Sequence, residues 1–249
     1  MANQKATFRA SAAGTPVASR RQSPLRGIAA LFIVVLVAPR RAAADTQLWT
    51  GLEARVPISD GRYGAPTHAR WVTESRFGGL REGLSFVLAR LGLMWELSPN
   101  VLLNLNGVQA SASDALGVMR SESRVEVEPN VRGRIGDFGV NLRQRAELRW
   151  NRAEPSYRYR AQLRWNYQPR GARLAPFLST ELFVVTRARL LETRNVLGVS
   201  VFATKHLRLD LGYMLRPQQS PDGWLVSHIG LVTVTFAPDL APVLESGGG

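Results

Sequence analysis

The chain has no cysteine among its 249 residues. That excludes disulfides, thiolate metal sites, thioether-linked haem and a lipidated N-terminal cysteine. It also leaves nothing to mispair in an oxidising compartment, which fits the periplasm and outer membrane. Lysine is nearly missing: Lys5 and Lys205 are the two, and every other basic residue is arginine. Arginine keeps its charge and pairs bidentately with carboxylate or phosphate. Long hydrophobic runs are lacking as well. The run Gly27–Ala38 has twelve residues, whereas a membrane-spanning helix needs about 20. A helical membrane protein is therefore excluded. Metal-ligand spacing and a glycine-rich phosphate cradle are both missing, so no metal and no other cofactor is expected.

The formal net charge of +13 suggests a nucleic-acid binder until it is divided by region. Residues 1–44 carry seven basic side chains and no acid, which leaves +6 for the rest. That remainder is spread along the chain without a basic stripe, so no nucleic acid is expected as a partner. The leading segment has the layout of a signal peptide. Basic and polar residues run to Arg26, the apolar core follows, and Ala42-Ala43-Ala44 before Asp45 supplies a small-residue cleavage site. The expected organisation is a signal peptide at 1–44, a barrel at 45–237 and a flexible tail at 238–249.

From Asp45 onward the pattern alternates polar and apolar residues in segments of about ten, as transmembrane β-strands do. Residues 119–135 put Arg120, Glu122, Arg124, Glu126, Glu128, Arg132 and Arg134 on one face, with Val125, Val127 and Val131 on the other. A helix would scatter charges at i+2 spacing around its circumference and leave no apolar stripe. Eleven such segments can be delimited: 47–57, 67–77, 84–97, 101–110, 118–135, 138–151, 157–168, 175–185, 192–204, 207–216 and 225–236. Closed bacterial barrels have even strand numbers. The expectation is therefore an all-β, antiparallel up-and-down transmembrane barrel of 12 strands, with ten the alternative. Trp49, Tyr63, Trp71, Trp95, Trp150, Trp165, Tyr167, Tyr213 and Trp224 fall at or near segment ends, where interfacial girdles place aromatics. The segment His228–Phe236 resembles the terminal strand read by the barrel-assembly machinery.

Several motifs carry a family resemblance. Arg158-Tyr159-Arg160 with Arg164 is followed by Pro176-Phe177-Leu178-Ser179-Thr180-Glu181-Leu182-Phe183, then by Arg194 with Gly198, and then by Leu209-Asp210-Leu211-Gly212-Tyr213. In this order they resemble the uncharacterised outer-membrane barrels known as DUF2490, over roughly residues 47–236. The resemblance implies a barrel in the outer membrane of a Gram-negative bacterium. It implies no reaction, ligand or catalytic residue.

The charged face is the most distinctive feature. Seventeen arginines and nine acids share one face of their strands. Lipid contact would cost about 2–4 kcal/mol per arginine at the midplane, so this face is expected to line the lumen. The candidate lumen network is Arg124, Glu126, Arg143, Arg145, Glu147, Arg149, Arg158, Arg160, Arg164, Glu181 and Arg194. No catalytic residue is expected. The expected role is a structural envelope barrel with a charged, Arg-rich lumen, and not an enzyme. The alternatives are a narrow anion-preferring pore, and a lipid-modifying enzyme with His68 as its plausible luminal histidine. Expected partners are outer-membrane lipids, the barrel-assembly machinery during insertion, and small anions.

Overall fold

The computed structural model describes residues 46–78, 83–113, 117–151, 155–185, 191–220 and 223–238. The expected signal peptide, and the expected tail beyond Pro238, lie outside the described residues. Eleven strands follow one another: β1 (Thr46–Pro57), β2 (His68–Phe77), β3 (Leu84–Ser98), β4 (Val101–Ser113), β5 (Met119–Ile135) and β6 (Phe138–Trp150), then β7 (Ser156–Tyr167), β8 (Leu174–Val185), β9 (Leu191–Thr204), β10 (Leu207–Ser220) and β11 (Gly223–Phe236). One short 3₁₀ turn, Arg62–Gly64, lies between β1 and β2. Each strand pairs antiparallel with the next, and β1 pairs with β11 to close the barrel.

The period-two pattern becomes an inside-out partition. In β5 Glu126 is completely buried, while its neighbours Val125 and Val127 are each 43 % exposed. The interior therefore holds the charges. The outer surface exposes an apolar band that includes Leu91, Leu93, Leu105, Leu142, Leu178, Leu182 and Leu211. Aromatics flank this band: Trp71, Phe138, Trp165 and Phe236 toward one end of the barrel, and Trp150, Tyr157 and Trp224 toward the other. Closing the sheet removes the unpaired edges that an open sheet of this size would present.

The strand count corrects the expectation of 12, or ten. An even number is required only if every junction is antiparallel. Here β1 and β11 run in the same direction and pair from Thr46↔His228 to Ala54↔Phe236. That parallel seam occupies the hydrogen-bonding edges of both strands without a twelfth strand. A second difference concerns residues 217–224, which read as a longer connection. They are mostly strand, with Gln218 opposite Leu225 and Gln219 opposite Trp224, because β10 and β11 are joined through residues 221–222 alone. A third concerns Trp49. It faces inward and is buried, so it does not belong to an outer girdle.

The two ends of the barrel differ. One end, the turn end, carries the two-residue connections Pro99-Asn100, Gly136-Asp137 and Lys205-His206, besides 58–67 and 168–173. At the other, the loop end, β2 leads to β3, β4 to β5, β6 to β7, β8 to β9 and β10 to β11. At Gly136 the backbone takes φ 59°, a conformation glycine adopts without steric cost.

Candidate functional site: the charged interior

The interior is crossed at mid-height by ion pairs between strands that are not neighbours. Arg70 on β2 reaches Glu128 on β5 at 3.0 Å. Arg90 on β3 reaches Glu126 on β5 at 2.8 Å. Arg143 on β6 reaches Glu181 on β8 at 3.3 Å. Arg145 is the hub: it pairs with Glu128, and lies 3.7 Å from Glu126 and 3.9 Å from Glu147. From Glu147 the chain of contacts runs to Arg160 at 2.6 Å, then to Glu181 at 3.7 Å and to Arg194 at 3.7 Å. Glu192 extends it to Arg216 at 2.9 Å. Glu126, Glu128 and Glu147 are at most 2 % exposed and Arg145 is 3 % exposed. Charges that deep are tolerated only when paired, and deleting one partner leaves the others uncompensated. These pairs span the interior as a septum of charged side chains.

On either side of the septum lies a chamber. The loop-end chamber has a volume of about 470 Å³. Its described lining includes Arg76, Arg120, Arg124, Arg149, Arg158, Arg160, Arg194 and Arg216, against two acids, Glu122 and Glu192. Glu122 accepts both Nε and Nη2 of Arg149 at 2.9 and 2.6 Å, and also pairs with Arg124. Glu192 likewise accepts Arg216 at 2.9 and 3.0 Å and Arg194 at 2.7 Å. Each carboxylate thus holds two guanidiniums side by side. The turn-end chamber is of similar size, about 460 Å³, and its described lining includes six arginines and three acids. There Arg164 and Arg208 share Asp210 at 3.4 and 3.2 Å, and Arg164 also donates to the Ser200 hydroxyl at 2.9 Å. A smaller cavity of about 220 Å³ lies along β1 beside the septum.

Aromatic rings fix the orientation of several arginines. Arg76 lies over Trp49 at 3.7 Å and over Phe86 at 4.1 Å. Arg194 and Arg160 lie over Phe183 at 4.0 and 4.6 Å, and Arg164 over Phe177 at 3.8 Å. Strand β8 accounts for much of this. Ala175, Phe177, Ser179, Glu181 and Phe183 share its inner face and are all buried. Phe177 sits across from Gly198, where a Cβ would come within 2.5 Å of the ring. The glycine is needed because the aromatic fills its place.

The eleven residues expected to form the lumen network all lie on the interior face, in three groups. Glu126, Arg143, Arg145, Glu147, Arg158, Arg160, Glu181 and Arg194 belong to the septum; Arg158 joins it through Glu147, 2.7 Å from its Nε. Arg124 and Arg149 belong to the Glu122 group of the loop-end chamber. Arg164 belongs to the Asp210 group of the turn-end chamber. The expected network omitted Glu53, Arg70, Arg90 and Glu128, although each stands at i+2 spacing on a strand's charged face. It also omitted Trp49, Phe177 and Phe183, because an apolar residue in an inward register position carries no charge signal. His68 is inward and buried, with Nδ1 3.0 Å from the Thr67 hydroxyl. His206 lies at the turn end, and His228 lies on the outer face paired with Tyr213. Among the described residues no group of three or more His, Asp or Glu side chains could hold a metal ion.

A model for a family described as protein of unknown function, DUF2490, matches residues 46–227. No curated protein and no solved structure matches the chain.

Proposed function

We propose, from the premise that the chain belongs to the DUF2490 family of proteins of unknown function, that it is a structural barrel of the Gram-negative outer membrane whose interior is shut by its ion-pair septum. The inside-out partition carries this reading. An exposed apolar band flanked by aromatics suits a hydrocarbon environment, and arginines on that surface would each cost about 2–4 kcal/mol at the midplane. The leader supports export. The outward-facing terminal strand ending at Phe236 supports insertion by the barrel-assembly machinery. Membrane lipids are then the principal partners.

Closure of the lumen separates this role from the alternatives. A permanent pore needs a continuous water path, and the buried pairs Arg70–Glu128, Arg90–Glu126 and Arg143–Glu181 lie across it. Planar-bilayer recording of the refolded chain tests the point. The expected result is a barrel that inserts without discrete conductance. Steady anion-selective channels would replace this reading with the pore. Lipid hydrolysis abolished by His68→Ala would replace it with the enzyme.

A further inference from the structure

We infer that the loop-end chamber is a binding site for an anion carrying two or more phosphate charges. This goes beyond the structural role, and it holds whether or not the barrel conducts. Eight arginines and two acids line the chamber among the described residues. Three more acids pair with these arginines from the septum side: Glu74 with Arg76 at 2.7 Å, Glu147 with Arg158 and Arg160, and Glu181 with Arg160 and Arg194. Leaving Arg120 aside, seven guanidiniums still face five carboxylates among the described residues. A purely structural network gains nothing from such an excess, because like charges at this spacing repel.

The geometry favours a phosphorylated ligand over a simple halide. Glu122 and Glu192 each fix a pair of arginines, Arg124 with Arg149 and Arg194 with Arg216. Arg76 is held over the rings of Trp49 and Phe86. A guanidinium has five N–H donors, and a shared carboxylate occupies only some of them. What remains is a set of pre-positioned forks matched to phosphate oxygens. About 470 Å³ accommodates a phosphorylated sugar or a lipid headgroup and falls within the range of small-molecule pockets.

The test is calorimetric titration of inorganic tripolyphosphate into the refolded full-length chain in zwitterionic detergent. Saturable one-to-one binding is expected, weakened about tenfold by Arg149→Gln or Arg216→Gln, since each removes a charge-assisted contact. Arg208→Gln, in the opposite chamber, should change it less than about twofold. Glu122→Gln should tighten binding several-fold by releasing Arg124 and Arg149 to the ligand. Misfolding cannot mimic that gain. Heat-modifiable gel mobility confirms that each variant is folded. Absence of saturable binding, equal losses from both chambers, or weaker binding in Glu122→Gln would overturn the site. A short-chain phosphatidic acid in the same titration identifies the source. Tighter binding than tripolyphosphate supports a lipid headgroup in this chamber, and weaker binding supports a free polyphosphate ester there.

Discussion

The two chambers are nearly equal in volume and lie in one barrel, yet they use arginine differently. At the turn end, arginines fasten backbone. Arg132 donates to the Pro99 carbonyl at 2.8 Å, and Arg134 to the carbonyls of Gly136 and Gln168 at 2.8 and 2.9 Å. Those contacts close tight turns. At the loop end, arginines converge on Glu122, Glu192 and aromatic faces around a cavity. Equal residue type and equal pleat therefore do not mean equal role. What differs is that the turn end adds fixed carbonyls as acceptors, while shared carboxylates such as Asp210, Glu122 and Glu192 occur at both ends.

The comparison depends first on the wall between the chambers, so the largest expected effect lies there. Arg145→Ala removes the cation that Glu126, Glu128 and Glu147 share and should destabilise the barrel by about 3–5 kcal/mol, read by urea unfolding of the refolded chain. Replacing both Arg145 and Glu128 by serine should restore part of that loss and join the chambers, seen as conductance where the parent is silent. A silent double variant would mean that the remaining pairs suffice as a wall. Gly198→Ala comes next. Its Cβ would meet the Leu211 carbonyl at 2.4 Å and the Phe177 ring at 2.5 Å. Displacing that ring from under Arg164 should cost roughly 1–3 kcal/mol of stability while leaving loop-end anion binding intact. The smallest effect is expected at the turn end. Arg132 and Glu96 are 41 % and 37 % exposed, so Glu96→Gln should alter stability by about 1 kcal/mol or less. A larger loss would show that the turn-end pairs are more than surface fasteners.

Much of this architecture was legible in the sequence, for a definite reason. A barrel strand with a charged interior and an apolar outer surface alternates residue by residue, so Arg143, Arg145, Glu147 and Arg149 announce both the strand and its inward face. The eleven segments read from alternation coincide with β1–β11 to within a few residues at most ends. What failed was the general rule of even strand number, which hides a parallel seam because β1 and β11 have the same alternation whichever way they run. The partition of charges into a septum and two chambers was not legible either. Spacing along a strand places a side chain on a face, but which partner it meets across the lumen depends on strand tilt and register. Arg70 and Glu128 lie far apart in sequence and touch for that reason. Trp49 was misplaced because position near a strand end says nothing about which face it occupies.

The seam between β1 and β11 also sets the order of events. Every other pairing joins strands that follow one another and can form as the chain zips along. The last one joins the two extremes of the sheet, and its loop-closure entropy is met only once ten strands are in place. Until then the barrel is an open sheet with two hungry edges, prone to capture any passing strand. The β1–β11 pairing is thus the contact of greatest sequence separation in the sheet, and the one whose closure costs the most chain entropy.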